Sequence, residues 1–288
     1  MILLLTALAI AAGPGTPPPA QPAKAHGPPP THATVVKVYD GDTCTLDSGD
    51  KVRLAYVNTP ELKPHEDFGP EAGDYTRGLI LDQEVQLVFS REDPRDGYGR
   101  LVAGVRLGEQ DLALGLLERG LAHVYVIPPV EIDLAPLLAA EAQARAAHLG
   151  IWSLERYQGP LHITSFHADA KGNDMENVNG EYFRLANISG APLDLSRYAI
   201  KDAGGSAWLL PAVTLPAGHT VKVMSGKGDN QADPTQQIAI YLGSDTPIWN
   251  NAGDLLQVLG PDKAVVDSRE HRPSSPAPHE PSGPSGAP

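Results

Sequence analysis

The sequence predicts an α+β domain of about five strands and three helices, followed by an all-β sandwich domain. Residues 33–156 alternate β-type runs with three helical patterns. Residues 161–271 contain only short strand-like runs, separated by Gly, Pro, Asn and Asp. The 288 residues suffice for two domains, at about 100–200 residues each.

Both ends of the chain differ in composition from these domains. The N-terminal stretch MILLLTALAIAAGPG has an apolar core of signal-peptide length, so we expect residues 1–12 to be an export leader; a retained apolar leader is the alternative. The proline-rich residues 13–32 and 272–288 should be an extended linker and tail. No later run is long and apolar enough to span a membrane. We therefore expect a soluble bacterial protein, either secreted or held in the periplasm or cell envelope.

The first domain opens with strands. The stretch ATVVKVYDGDTCTLDSGDKVRLAYV contains three β-type runs, split by DGDT and by the hairpin turn DSGD. Cys44 lies in the alternating run TCTLD, so we expect a packed strand residue there. It is the only cysteine, which excludes an internal disulfide.

Helices and further strands follow in the same domain. GPEAGDYTRGLILD predicts a helix with Pro70 near its start and Glu71 in its first turn. EVQLVFS and LVAGVRL predict strands. DLALGLLERGL and LAPLLAAEAQARAAHLG predict two more helices, the second ending at Gly150 as its C-cap.

The second domain follows a boundary near RYQGP. Its strand-like runs are LHITSFHAD, GEYFRLANIS, HTVKVMSG, QQIAIYLG, LLQVLGP and AVVDS, with GPDK as the turn between the last two. Trp208 and Trp249 are expected to pack in the core or at its rim. The histidines along the chain are scattered, and we expect them to be solvated.

Polar residues collect where the third strand breaks, in VRLAYVNTPE, and in the nearby YDGDT and DGYGR. Carboxylates and carbonyls suit a hard cation such as calcium. Arginine forks match phosphate oxygens, and a glutamate beside a metal could orient or deprotonate a water. These are the parts of a phosphodiesterase. Taken singly, each residue also has a structural interpretation: a turn, a surface salt bridge, or a helix start.

The order and spacing of VVKVYDGDT, VRLAYVNTPE, FGPEA and DGYGR resemble the staphylococcal nuclease-like family. The resemblance covers residues 33–156, including the final helix and its LGIWS ending. It implies a five-stranded OB-type barrel with three helices. It also implies calcium-dependent hydrolysis of DNA and RNA that leaves a 3′-phosphate.

The resemblance implies four metal-site residues. Asp42 matches the main calcium carboxylate, and Asn58 falls at the second one. Thr59 matches the residue whose main-chain carbonyl binds the ion, and Asp40 an acid near the metal's water shell.

The resemblance also implies catalytic and substrate-binding residues. Glu61 matches the presumed general base. Arg53 and Arg100 match the two phosphate arginines, the second acting mainly on the transition state and leaving oxygen. Tyr98 matches a tyrosine at the phosphate site, and Tyr125 matches a tyrosine that contacts the nucleotide.

Three positions depart from the family pattern. Asn58 is an amide where the staphylococcal enzyme has an acid, Gly97 stands where it has a lysine near the phosphate, and Ile127 falls near a position that carries a second tyrosine. An asparagine oxygen can still bind calcium, but one negative charge is lost. We therefore predict weaker calcium binding and activity that requires millimolar calcium.

The second domain resembles the lamin-tail family in GNDMENVNGEYFRLANISGAPLDLS, IWNNAGDLLQVLG and DKAVVDS. The resemblance implies an immunoglobulin-like β-sandwich. Attachment to nucleic acid, to a protein partner or to the cell envelope are all open. We expect a monomer.

Three functional hypotheses follow. The first is an exported calcium-dependent nuclease acting on DNA and/or RNA, with an accessory second domain. The second is a noncatalytic nuclease-like binding module of the cell envelope, and the third an envelope adhesion protein. Retention of Glu61, Arg53 and Arg100 favours the nuclease. Asn58 and the net charge of -13, which argues against a broad basic binding face, favour the binding module.

Overall fold

A computed structural model describes residues 28–63 and 65–273. The expected leader (1–12), most of the proline-rich linker (13–32) and nearly all of the tail (272–288) lie outside the described residues. No helix within the described ranges is both long and apolar enough to cross a membrane.

The first domain is a closed five-stranded barrel. β1, β2, β3, β6 and β5 pair in that cyclic order, and the parallel pair β3–β6 closes the ring. This confirms the expected barrel. The strands of this domain are β1 (His32–Val38), β2 (Thr43–Leu46), β3 (Lys51–Leu54), β4 (Val57–Asn58), β5 (Glu84–Val88), β6 (Leu101–Leu107), β7 (Gln110–Asp111) and β8 (His123–Val124). Cys44 is buried in β2 as predicted.

Three helices cover the barrel: α1 (Gly69–Ile80), α2 (Leu112–Glu118) and α3 (Ala135–Ala146). α1 carries a proline at its first turn, as predicted. α2 is capped by Asp111, whose side chain accepts a hydrogen bond from the Leu114 N–H at 3.1 Å.

The expectation that α3 ends at a Gly150 cap is wrong. The helix stops at Ala146, and His148 has a positive φ of 52° just beyond it. Gly150 is needed for another reason. A Cβ there would lie 2.1 Å from the carbonyl oxygen of Gly120, so the two backbones approach closely only because both residues are glycines.

The second domain is a β-sandwich of two four-stranded sheets, ordered β16-β15-β10-β9 and β13-β12-β17-β18, with the small pair β11–β14 beside them. All six predicted runs form strands, and GPDK forms the turn between the last two. Trp249 lies in the core with Phe183. The strands are β9 (Leu161–His167), β10 (Tyr182–Asn187), β11 (Leu193–Asp194), β12 (Ala199–Lys201), β13 (Ala207–Leu209), β14 (Thr214–Leu215), β15 (Thr220–Met224), β16 (Ile238–Tyr241), β17 (Asp254–Leu259) and β18 (Val265–His271).

The two domains pack against each other along a buried seam. Ile151 and Trp152 of the first domain cluster with Ala186 and Ile188 of the second. Main-chain hydrogen bonds cross the seam at Val126, whose N–H donates to the Gly218 carbonyl and whose carbonyl accepts from the Thr220 N–H. The seam therefore holds β10 and β15 beside the segment that follows β8.

Candidate active site

The turn between β1 and β2 places the buried carboxylate of Asp42 beside the end of β4. Asp42 is only 7% exposed. Its Oδ2 accepts hydrogen bonds from the main-chain N–H of Thr59 at 3.0 Å and from the Thr59 hydroxyl at 3.1 Å. Gly41 permits this approach, since a Cβ there would lie 2.6 Å from the Thr59 methyl group. Asp42 and Thr59, two of the predicted metal-site residues, are therefore joined directly.

Arg53 of β3 is held in the same cluster by four contacts. Its Nη2 lies 3.1 Å from Asp42 Oδ2 and donates to Asn58 Oδ1 at 2.9 Å. Its Nη1 donates to the carbonyls of Leu54 and Val57. The strand break after β3 thus places two carbonyls along one edge of the guanidinium, which fixes the orientation of the group before any ligand binds.

Three acids crowd this end of the barrel. Burial, then the nearby charge of Asp42, raises the pKa of Asp40 to about 6. Burial, then Asp42 and Asp40, raises the pKa of Glu61 to about 7, against the lowering effect of Arg53. The cluster therefore holds more negative charge than Arg53 alone offsets, and a cation bound there would relieve the repulsion.

The donor chemistry suits calcium. Asp40 and Asp42 offer carboxylate oxygens, Thr59 a carbonyl and Asn58 an amide oxygen, which are the ligands a hard cation prefers. The Thr59 carbonyl accepts from Asn58 Nδ2 at 3.3 Å and keeps a further lone pair. Asp42 Oδ2 already faces three donors, so Asp42 would bind an ion through its Oδ1. Across the described ranges, no three His, Cys, Asp or Glu side chains are arranged to hold a metal ion. A calcium ion here would therefore depend on neutral oxygens and water as well as carboxylates.

The second arginine, Arg100, lies immediately before the neighbouring strand β6. Leu101, directly after Arg100, pairs with Val52, directly before Arg53. Arg100 Nε is 2.8 Å from Asp96 Oδ2, and its terminal nitrogens have no hydrogen-bond acceptor among the residues described. This leaves the fork of Arg100 open to a phosphate.

An aromatic ring accompanies each arginine. The Arg100 guanidinium carbon lies 5.4 Å from the ring centre of Tyr98, which is 75% exposed. The Arg53 guanidinium carbon lies 5.8 Å from the ring centre of the half-buried Tyr125. Both predicted substrate-binding tyrosines thus flank a predicted phosphate arginine.

Comparison with known proteins agrees with this geometry. The model for the staphylococcal nuclease homologue family matches residues 51–154, and the lamin tail domain model matches residues 154–272. A thermonuclease of Staphylococcus intermedius is 35% identical over 125 residues, which cover 41% of this chain and 74% of the relative. The chain belongs to the staphylococcal nuclease family.

Other members of the family are also similar to this chain. A thermonuclease of Staphylococcus hyicus is 33% identical over 126 residues, covering 41% of this chain and 74% of the relative. Endonuclease YncB of Bacillus subtilis is 34% identical over 134 residues, covering 44% of this chain and 64% of the relative. Both resemblances inferred from the sequence are thereby confirmed, and the names of these family members support a nuclease function.

Two residues at the family's site escaped sequence reasoning. Glu66 Oε2 accepts a hydrogen bond from the Glu61 N–H at 3.0 Å, while its Oε1 lies 3.0 Å from Arg269 of β18. The Asp96 carboxylate accepts hydrogen bonds from both the backbone N–H and the side-chain Nε of Arg100. The DGYGR motif contained a signal for the second contact, since its first and last residues are opposite charges in one turn. No local signal pairs Glu66 with an arginine in the other domain.

Proposed function

We propose that this protein is an exported, calcium-dependent nuclease that hydrolyses phosphodiester bonds of DNA and/or RNA and leaves 3′-phosphates. One observation supports this most: Asp42, Arg53, Asn58 and Thr59 form a single hydrogen-bonded cluster at the end of the barrel. Glu61 lies close enough to this cluster for its pKa to respond to it.

The arginines and Glu61 take distinct roles in this proposal. Arg53 and Arg100 bind the phosphate, and the open fork of Arg100 stabilises the charge that grows on phosphorus and on the leaving oxygen. Glu61 accepts a proton from the attacking water on its carboxylate. Without the ion the pKa of Glu61 is raised to about 7. A calcium ion beside it would lower that pKa and keep the carboxylate ionised as a base near neutral pH.

Asp42, Asp40, Thr59 and Asn58 would hold the calcium ion. When bound, the ion neutralises phosphate charge and polarises the scissile group. Because Asn58 contributes no charge, we propose weak binding and half-maximal activity at millimolar calcium.

The export and accessory roles rest on the sequence. The apolar leader at residues 1–12 supports export, and the lamin tail domain supplies a second surface for attachment or binding. A noncatalytic binding module is the second candidate, favoured by Asn58, whose oxygen is already engaged by Arg53.

The test compares cleavage of single-stranded DNA, duplex DNA and RNA in millimolar calcium and in excess chelator. The variant Glu61→Gln keeps the shape of the side chain and removes the base, and we expect its turnover to fall by roughly 10²–10⁴-fold. Glu109→Gln, an exposed glutamate elsewhere on the same domain, is the matched control. Calcium-dependent cleavage that collapses only in Glu61→Gln supports the proposal. Absence of cleavage at every calcium concentration, with nucleic acid still bound, would establish the binding module instead.

A further inference from the structure

The outer face of the sheet β16-β15-β10-β9 presents an unusual set of side chains. Strand alternation buries Phe183 and Leu185 in the sandwich core and turns Tyr182 and Arg184 to the opposite side. Lys222 of β15 and His167 of β9 flank them. We call these four residues, His167, Tyr182, Arg184 and Lys222, the Tyr182 face.

Aromatic rings form the first part of this face. Tyr182 and His167 are directly paired across β10 and β9, and their rings stack with centroids 4.3 Å apart at an angle of 26°. Lys222 Nζ lies 4.0 Å from the centre of the Tyr182 ring. A flat aromatic surface with a cation beside it is the arrangement that binds unpaired bases next to their phosphates.

Two uncompensated cations form the second part. Arg184 and Lys222 are directly paired across β10 and β15, where like charges are destabilising. Neither has an ion-pair partner within residues 28–63 and 65–273, although the chain has a net charge of -13. Arg184 Nη1 donates to Gln237 at 2.7 Å, which orients the guanidinium without neutralising it. An anionic ligand would remove this repulsion.

The face is continuous with the candidate active site. Tyr98 and Tyr125 both lie near enough to the Tyr182 hydroxyl to affect its pKa. Burial first, then Tyr98, raises the pKa of Tyr182 to about 12, so the hydroxyl stays neutral. The hydrogen bonds of Val126 hold the start of β15 against the segment that carries Tyr125. A path of aromatic side chains therefore runs from Arg53 and Arg100 onto the second domain.

A purely structural role would explain why Tyr182 lies near Tyr98, but it would not explain the paired cations or the exposure of Tyr98. A seam between domains needs no pair of like charges, and Tyr98 remains 75% exposed. Burial, and then repulsion from Arg184, lowers the pKa of Lys222, consistent with electrostatic repulsion between the two cations. A ligand that carries phosphates would offset the repulsion between Arg184 and Lys222, and binding such a ligand gives a reason for pairing them.

We propose that the Tyr182 face is a second substrate-binding region, which takes single-stranded polynucleotide beyond the scissile phosphate. Tyr182 and His167 stack on bases, while Arg184 and Lys222 bind phosphates. Single strands are favoured because paired bases are stacked on one another and cannot reach the rings. The inference rests on the proposed function, since the strand bound here is the nuclease's substrate, and it assigns the lamin tail domain a share of that binding.

The experiment measures equilibrium binding in the full chain carrying Glu61→Gln, in calcium, by fluorescence anisotropy. The probes are labelled single-stranded DNA of about 12 nucleotides, the same strand shortened to about 3, and a duplex. Tyr182→Ala should weaken the longer strand roughly fivefold or more. The double variant Arg184→Gln/Lys222→Gln should reduce the slope of log affinity against log salt by about 1.4, at about 0.7 per lost phosphate contact. Both losses should be concentrated on the longer strand.

Two controls keep the test sharp. Lys201→Gln removes a cation from β12 in the opposite sheet and should leave binding unchanged. Tyr182→Phe keeps the ring, so it should restore most of the affinity lost in Tyr182→Ala. Equal weakening by Lys201→Gln, or parental affinity in the double variant, would overturn the proposal, as would no binding by the parent chain. Because catalysis is silenced here, a wild type that binds but never cleaves would refute the nuclease and leave this inference standing.

Discussion

Asn58 contributes an amide oxygen to a site where Asp40 and Asp42 contribute carboxylates. Its Oδ1 accepts a hydrogen bond from Arg53 at 2.9 Å, so the amide is positioned by the arginine that we propose binds phosphate. A carboxylate here would add charge to a cluster in which the pKa values of Asp40 and Glu61 are already raised by their neighbours. Compared with a carboxylate, the amide therefore lowers the repulsion within the cluster and, in the proposed calcium site, also the attraction for the ion.

Replacing this amide by an acid should reverse both effects. Asn58→Asp keeps the contact with Arg53 and adds one negative charge, so we expect calcium to bind roughly tenfold more tightly. Without calcium, the added repulsion should lower the melting temperature. Calorimetric titration with calcium and thermal unfolding, each with and without the ion, measure the two changes.

Asn230→Asp is the matched control for this substitution. Asn230 is exposed in the second domain, and its side-chain oxygen also accepts a hydrogen bond, from the Tyr241 N–H. It should not change calcium affinity. Unchanged affinity in Asn58→Asp, or an equal gain in both variants, would show that residue 58 is not a calcium ligand.

At the scale of single residues, motif spacing predicted which side chains would meet but not how. Asp42, Arg53, Asn58 and Thr59 do form one cluster, because short turns connect β1, β2 and β3. The expectation that the histidines are solvated is wrong for His123 and His162, which are 1% and 2% exposed. Their burial depends on the seam between domains, which no local pattern encodes.

At the scale of elements, alternation and turn residues predicted the long strands and the three helices, but not the short strands β11, β12, β13 and β14. These contain two or three residues each. Alternation needs more positions than that to be visible. Such strands form because neighbouring chain is already in place, as where Leu193 and Asp194 pair with Leu215 and Thr214.

The loop between β4 and α1 depends on the second domain for its shape. Arg269 of β18 lies 3.0 Å from Glu66, which in turn accepts the Glu61 N–H. Arg269→Gln should break the series of contacts from Arg269 through Glu66 to Glu61 and leave the Glu61 side chain less well positioned. We expect this to lower kcat roughly tenfold with little change in KM. Arg269 also donates to the carbonyls of Ile163 and Thr164, so its replacement disturbs other contacts as well. Glu66→Ala therefore serves as an independent way to break the contact between Arg269 and Glu66.

Steady-state kinetics separate positioning from loss of fold. Arg272→Gln is the control, because among the described residues Arg272 forms its ion pair with its near neighbour Glu270. Arg269→Lys, which keeps the charge, should recover part of kcat. A rise in KM at constant kcat in both Arg269→Gln and Glu66→Ala would contradict a role in placing Glu61.

At the scale of the whole molecule, a buried polar cluster closes the seam. The rings of His123, from β8, and His162, from β9, are 5.5 Å apart. His162 Nδ1 lies 2.8 Å from Asp267 of β18. The ring of Tyr157 packs on His162 at 4.3 Å. The seam therefore buries titratable groups from both domains, and this couples the stability of the pair to pH.

The contribution of His123 to that coupling has a definite sign. Burial first, then repulsion from His162, lowers the pKa of His123 from 6.5 to about 3, and Arg53 and Arg145 act in the same direction. Between these values the unfolded chain binds a proton that the folded chain excludes. Above pH 6.5, His123 is neutral in both states and does not reduce the free energy of unfolding. As the pH falls from 6.5 toward 3, its contribution lowers that free energy, by up to about 1.4 kcal/mol per pH unit.

The variant His123→Asn removes the titrating group and keeps a donor for the Val124 carbonyl, which the His123 ring contacts at 2.9 Å. We expect lower stability near pH 7, because the smaller side chain leaves a cavity, but a shallower loss of stability between pH 6.5 and 4.5. Urea unfolding followed by tryptophan fluorescence measures both, since Trp152 lies in the seam. His148→Asn is the control: His148 is exposed with a positive φ that asparagine tolerates, so its slope should match the wild type. Parallel slopes for wild type and His123→Asn would mean that His123 takes up its proton without unfolding the seam.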